Sequence, residues 1–255
     1  MPIVLYSDFG AGDLYVGQVK AVLAERAPRV RVFDALHDAP TFCIETNAHL
    51  LAALAPRYPR GSVFLAIVDP GVGGSRGAIV VGASGRTFVG PDNGLLAVLW
   101  GRASRPRCRS IRWRPAQLGN SFHGRDLFAP VAAALAAGRV PRGWLVPQAA
   151  PEILLGAGEL ARVVYVDHYG NAVTGLRAVA MPQEASLRAG SRLLPHARTY
   201  GEVRPGEPFW YENSLGLVEI AANRASAARL LRLRVGSPVA VLRNPAKARG
   251  SRGNR

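Results

Sequence analysis

Cysteine and lysine are nearly missing from this chain, and each shortage narrows its possible functions. The 255 residues include two cysteines, Cys43 and Cys108. They form neither a disulfide framework nor a CxxC metal pair, so a reducing, cytoplasmic home is expected. No apolar run approaches the roughly 20 residues that a membrane span needs. The opening Met1-Pro2-Ile3-Val4-Leu5-Tyr6 has no basic leader and reads as a first strand, not a signal peptide. His37, His49, His168 and His196 lack metal-ligand spacing with one another, so no zinc site is expected. The glycine-rich run at 71–74 lacks the Lys-Ser/Thr of a phosphate loop and the glycine spacing of dinucleotide-binding turns.

Lysine is limited to Lys20 and Lys247, yet the formal net charge is +15. The positive charge is therefore almost all arginine. Together with abundant alanine and glycine, that pattern fits a coding bias toward GC-rich codons. The arginines are dispersed, and densest from Arg102 to Arg114 and after Leu242. A solvated basic surface is expected, not specific nucleic-acid binding. Residues 244–255 have little apolar content and are expected not to fold.

The composition is 49% hydrophobic and 19% charged, enough for a substantial core in one large domain or two modest ones. Residues 1–150 alternate strand and helix signals, the pattern of a layered α/β/α domain. Strands are predicted at Ile3–Tyr6, Val30–Phe33, Ser62–Val68, Ala78–Gly82 and Arg86–Val89. Helices are predicted at Tyr15–Arg26, Ile44–Leu54, from Gly94 to Trp100 and at Phe128–Ala137. Proline and glycine punctuate Val140–Gly158 without periodicity, which reads as a linker. Residues 159–243 are mostly short strands with one helix at Arg224–Leu231, which predicts a smaller β-barrel-like domain.

Three runs carry candidate chemistry. Asp8, in Ser7-Asp8-Phe9-Gly10, follows an apolar strand, where a carboxylate can accept hydrogen bonds from sugar hydroxyls. Asp69 opens Asp69-Pro70-Gly71-Val72-Gly73-Gly74-Ser75-Arg76, a loop with little bulk that lets a ligand approach the backbone. His123 stands in Ser121-Phe122-His123-Gly124-Arg125-Asp126, with Asp126 expected as a helix N-cap. Asp69, Arg76 and His123 supply a carboxylate, a permanent cation and a proton acceptor, a set able to orient and deprotonate water.

These residues resemble one family, the S-adenosylmethionine hydroxide adenosyltransferases, relatives of the fluorinating and chlorinating enzymes that use the same substrate. The resemblance runs through Asp8-Phe9-Gly10 with Asp13-Leu14-Tyr15-Val16-Gly17, and through Val68 to Gly73. It continues through Pro91-Asp92-Asn93-Gly94 and Phe122 to Asp126 with Phe128-Ala129-Pro130. In the second half it covers Asp167, Tyr169-Gly170-Asn171, Asn213-Ser214, Gly216 and Glu219-Ile220-Ala221. It implies an α/β N-terminal domain, a smaller β domain and a homotrimer with substrate held between subunits. It implies hydrolysis of S-adenosylmethionine to adenosine and methionine, with Asp69, Arg76 and His123 handling the water. It further implies substrate contacts from Asp8, Asn93, Asp167, Tyr169, Asn171, Ser214 and Glu219. The halogenating relatives do not keep the trio, so its presence favours water over halide. Other readings are a halogenase, or a non-catalytic S-adenosylmethionine or adenosine binder. Two departures stand out: Ser7 replaces the family's common Thr, and Gly175 follows Thr174 where the family commonly has Asn.

Overall fold

A computed structural model describes residues 1–182 and 185–242; the expectation for the 244–255 tail lies outside the described residues. Chain packing separates Met1–Ala157 from a second unit that begins at Gly158.

The first unit runs β1 (Ile3–Ser7), α1 (Leu14–Arg26), β2 (Val32–Leu36), α2 (Ile44–Leu54), β3 (Val63–Ile67), β4 (Gly77–Ala83), β5 (Arg86–Asp92), α3 (Ala97–Arg102), β6 (Arg107–Ile111), α4 (Ala129–Ala136) and β7 (Leu145–Gln148). Its seven strands form one sheet in the order β2-β1-β3-β5-β4-β6-β7. β2, β1, β3 and β5 are parallel, whereas β4 is antiparallel to both β5 and β6. β1 and β3 are buried along their whole length, which is why both read as unbroken apolar runs. α1 buries Val16, Val19 and Leu23, a three-and-four spacing that gives one apolar stripe. α4 is apolar nearly all round because it lies inside the cluster formed by Ile3, Leu5, Val63, Leu65, Val80 and Val89. Each fully buried aliphatic side chain of that kind contributes roughly 1.5–3 kcal/mol.

The linker expected at Val140–Gly158 contains β7, which pairs antiparallel with β6. Buried Asp92 adds to the tie: its carboxylate accepts from the Gln148 amide and from the Glu152 backbone N–H. A four-residue edge strand containing Pro147 has too little alternation to show in sequence.

The second unit contains β8 (Leu160–Val166), β9 (Ala172–Arg177), β10 (Ser186–Ala189), β11 (Arg192–Leu194), β12 (Pro208–Glu212), β13 (Leu217–Ala222), α5 (Ala227–Leu231) and β14 (Val239–Leu242). The strands form a four-stranded ladder, β12-β13-β9-β8, and a three-stranded one, β11-β10-β14. Leu187, Trp210, Val218 and Ile220 lie at the core of this unit. The helix expected from Arg224 starts later, at Ala227, with the Ser226 hydroxyl accepting from the Arg229 N–H as its cap.

Gly175 has a steric reason. It stands on β9 opposite Leu160 of β8, and a Cβ there would lie 2.6 Å from the Leu160 Cβ and 2.8 Å from its carbonyl oxygen. No side chain fits without moving β8. Gly175→Asn is expected to destabilise the protein by about 1–3 kcal/mol, the usual range for overpacking. Thermal denaturation checks this, and an unchanged melting temperature contradicts it.

Candidate active site

The carboxyl ends of β1 and β3 lie side by side, so the residues that follow them share one end of the sheet. Asp8 comes directly after β1, and Asp69 two residues after β3. The segment from Asp69 then turns back to deliver Arg76 just ahead of β4. Two features close that turn. The Val72 N–H donates to the Asp69 carbonyl, and the Gly74 N–H to the Gly71 carbonyl. Gly73 has φ +78°, and a Cβ on it would lie 2.3 Å from the Asn120 carbonyl oxygen. Only glycine permits that approach, and through it the 69–76 loop packs against the segment that carries His123.

The expected trio is in contact. The Arg76 Nε donates to both Asp69 carboxylate oxygens at 3.0 Å, and its Nη2 also donates to Asp69 Oδ2. The same Nη2 meets His123 Nδ1 at 3.0 Å. Arginine stands in the middle, so Asp69 acts on His123 through Arg76 and not by a direct hydrogen bond. A guanidinium only donates. His123 Nδ1 must therefore offer its lone pair, and the ring proton sits on Nε2. The Phe128 ring lies 5.2 Å below the Arg76 guanidinium. Burial, and next the Arg76 charge, lower the His123 pKa from its ordinary 6.5, with Asp69 opposing them. The neutral imidazole, with its Nδ1 lone pair, is thereby favoured.

Asp8, Asp69 and His123 line one hollow of about 580 Å³, and Arg76 bonds to two of these three. Asp8 accepts a 3.3 Å hydrogen bond from the Phe42 N–H. Burial raises its pKa above the ordinary value; that hydrogen bond opposes the rise, and the Asp69 charge adds to it. Phe9, Tyr15 and Phe122 form an aromatic wall, with ring centres 5.3 to 5.9 Å apart. Sequence reasoning did not assign these rings a role. Their signal was the glycines beside Phe9 and close to Phe122, which mark aromatic residues held in turns.

Other residues brace the hollow. Ser7 Oγ meets His37 Nδ1 at 2.8 Å, and His37 Nε2 meets Asp34 at 3.0 Å. The residue types are those of a nucleophilic triad. Ser7 is only 3% exposed, however, so the chain of bonds fastens β1 to the segment after β2 and presents no nucleophile. Contrary to the expectation from sequence, Asp126 does not cap its own helix. It accepts from the Gly119 N–H and pairs with Arg125, because the chain enters α4 through a π-helical turn at Gly124–Phe128. Asn93 is held in its turn as well: its amide donates to the Val68 carbonyl and accepts from the Leu95 N–H.

In the second unit, Tyr169 and Asn171 line a separate hollow of about 480 Å³, together with Tyr200, Arg224 and Ser226. Sequence reasoning missed those last three. Asp167 braces the β8–β9 turn, accepting from both the backbone and the side-chain amide of Asn171. Glu219 is buried and accepts from the Tyr211 hydroxyl and the Asn213 amide. Burial, then the bond to Glu219, pushes the Tyr211 phenol well above its ordinary pKa. Ser214 is exposed on the turn that Asn213 closes.

The family described as SAM hydroxide adenosyltransferase matches this chain twice, its N-terminal domain over residues 3–143 and its C-terminal domain over residues 161–240. The chain belongs to that family. It is 43% identical to the (R)-S-adenosyl-L-methionine hydrolase of Thermus thermophilus, over 94% of this chain and 99% of the relative. An uncharacterized conserved protein from Thermotoga maritima superposes with a TM-score of 0.85 at 31% identity, over 94% of this chain and all of that one. A fluorinase from Actinopolyspora mzabensis is more distant, at 27% identity over 95% of this chain and 98% of its own. In this member of the SAM hydroxide adenosyltransferases, no group of His, Cys, Asp and Glu among the described residues could hold a metal ion. No helix among the described residues is long and apolar enough to cross a membrane.

Titration of the His123 ring by NMR is expected to give a midpoint below 6.5. Arg76→Gln is expected to raise it, because a cation that disfavours the imidazolium is removed while Asp69 remains. A native midpoint at or above 6.5, or no response to the substitution, contradicts this electrostatic account.

Proposed function

We propose that this protein hydrolyses S-adenosylmethionine to adenosine and L-methionine, by in-line attack of water on the ribose 5′ carbon. The contact of Asp69, Arg76 and His123 beside the hollow that Asp8 also lines carries the reading. The hydrolase named in Thermus thermophilus supports the substrate.

The sulfonium is already a good leaving group, so methionine departs as a neutral thioether without a general acid. The site has to supply the nucleophile, because water with a pKa near 15.7 is a poor one. A water that enters between Arg76 and His123 replaces their hydrogen bond with two of its own. It donates to His123 Nδ1 and accepts from Arg76. As the oxygen–carbon bond forms and the carbon–sulfur bond breaks, the proton passes to His123. Arg76 stabilises the developing hydroxide, and Asp69 fixes Arg76 and offsets its charge. Asp8 holds the ribose hydroxyls. No step needs a metal or another cofactor. Tyr169, Asn171, Ser214 and Glu219, with Asp167 and Asn93, form or brace the ends that hold adenine and methionine. A cytoplasmic location belongs to the same reading, supported by two free cysteines.

Turnover in ¹⁸O-water is expected to label the adenosine 5′-hydroxyl. His123→Ala, Arg76→Ala and Asp69→Asn are each expected to lower kcat by about 10²-fold or more, with strongly non-additive effects. Unlabelled adenosine from a verified turnover rejects the mechanism. Full activity in two of the three variants leaves those residues a structural role only.

The reading includes a homotrimer in which each site draws on the N-terminal domain of one subunit and the C-terminal domain of a neighbour, as the family resemblance implies. Mixing inactive His123→Ala and Asn171→Ala proteins is then expected to restore activity after subunit exchange. A fully active monomer, or no recovery despite proven exchange, places the whole site within one chain.

A further inference from the structure

The amino end of the large sheet carries a second concavity, unconnected to the hydrolytic reading. β4, β5 and β6 are paired so that Val80 faces Val89 and Arg109, while Gly82 faces Thr87 and Arg107. Residues directly opposite one another share a sheet face. One row on that face is therefore Arg109-Val80-Val89, and the next is Arg107-Gly82-Thr87. Ile111, one more step along β6, is buried with Val80 and Val89 in the core that α4 covers. Leu135, near the end of α4, marks where the cover stops. Beyond it Gly82 has no side chain and Thr87 a short one, so the sheet floor lies open. The resulting groove encloses about 460 Å³, within the roughly 300–1,000 Å³ of small-molecule sites.

Its walls are guanidinium groups. Arg86, Arg105, Arg107 and Arg109 line it, and no acidic residue does. Arg60 lies across Gly85 of the β4–β5 turn, beside the same groove. Among the described residues, none of these five arginines takes part in an ion pair. Burial, and then the charge of Arg60, lowers the Arg86 pKa. Arg86 is fixed by the backbone carbonyls of Pro56, Tyr58 and Ser84. Arg105, Arg107 and Arg109 are exposed, with their donors open to a ligand. No aromatic ring lines the groove, so nothing in it would stack a base. Planar guanidinium forks recognise phosphate oxygens in pairs.

We propose that this groove is a binding site for a compact chain of two or three phosphates. The ligand is a free polyphosphate or the phosphate tail of a nucleotide, held by Arg105, Arg107 and Arg109 over the open floor at Gly82. The site lies at the opposite end of β4 from Arg76. Five residues of antiparallel strand separate Gly82 from Gly77, about 17 Å.

The test is calorimetric titration of inorganic tripolyphosphate into the full chain at roughly 0.1 M salt. Saturable one-to-one binding is expected, unaffected by saturating adenosine. Losing hydrogen bonds to a charged ligand is expected to weaken binding at least about tenfold in the Arg107→Ala/Arg109→Ala variant. The Arg107→Gln/Arg109→Gln variant keeps the stems and serves if the first fails to fold. Both are expected to hydrolyse S-adenosylmethionine as the native chain does, so failure here is separable from failure of the hydrolytic reading. Equal affinity for adenosine triphosphate and tripolyphosphate identifies the phosphate chain as the recognised part, whichever molecule carries it. Absence of saturable binding, or equal binding by native and variant proteins, overturns the proposal. Capture of single-stranded RNA without any binding of tripolyphosphate also overturns it and assigns the groove to nucleic acid.

Discussion

Asp69 and Arg76 form a pair that is almost wholly out of water, with side chains 5% and 11% exposed. A carboxylate and a guanidinium in that setting have lost most of their hydration and must satisfy each other. Removing one partner of such a pair typically costs about 3–5 kcal/mol, because the other charge is left buried alone. The requirement propagates outward. Asp69 stands at the end of β3 and Arg76 at the start of β4, so the segment between them has to turn sharply. Gly73 makes that turn possible and brings it against Asn120. His123, three residues on, then falls within reach of Arg76 Nη2, the same nitrogen that donates to Asp69. The pair therefore sets the loop, the loop sets the position of the histidine, and burial together with the Arg76 charge favours the neutral form of that histidine.

Most of the polar side chains near the hollow serve to hold shape. Ser7, His37 and Asp34 tie two parallel strands' ends together. Asp126 holds the Gly119 backbone, Asn93 the Val68 backbone, and Asp92 the segment that follows β7. Asp126, Asn93 and Asp92 each meet a backbone group outside regular strand pairing that would otherwise be left short of a partner. Few groups remain to face a ligand, chiefly Asp8, Asp69 and His123 with the three aromatic rings. Such economy suits a reaction whose leaving group departs unaided: the site has to orient a nucleophile, and orientation depends on rigid support more than on numerous reactive groups.

Sheet geometry also explains why the two ends of the first unit differ in charge. Strand ends at the carboxyl side open into loops that carry acids, and the chain folds those acids against a guanidinium or the backbone. At the amino side, alternation along β6 places Arg107 and Arg109 on one face with Ile111. The helix covering Ile111 ends before it reaches them. What looks in sequence like a dispersed basic run is sorted by a period of two into one face and one groove.

Much of this was legible in the chain itself. Helix Ile44–Leu54 and the buried runs that became β1 and β3 follow from local periodicity and breakers, which act over a few residues. The catalytic candidates were legible as residue types in glycine-containing runs, after strands for Asp8 and Asp69 and before a helix for His123. Not legible were β6, β7, β9 and β10. None is an unbroken apolar run like β1 or β3: each carries arginine or proline, and β9 a glycine as well. They exist because a neighbouring strand offers them a ladder. The same holds for function. The sequence by itself determined which carboxylates, guanidinium and imidazole were available and that glycine flanked them. Only the tertiary structure decided that Arg76 stands between Asp69 and His123, that Asp126 and Glu219 serve as braces, and that five arginines gather around an open floor. Contacts across 7, 47 or more residues depend on strand order and loop packing, and no local pattern encodes those.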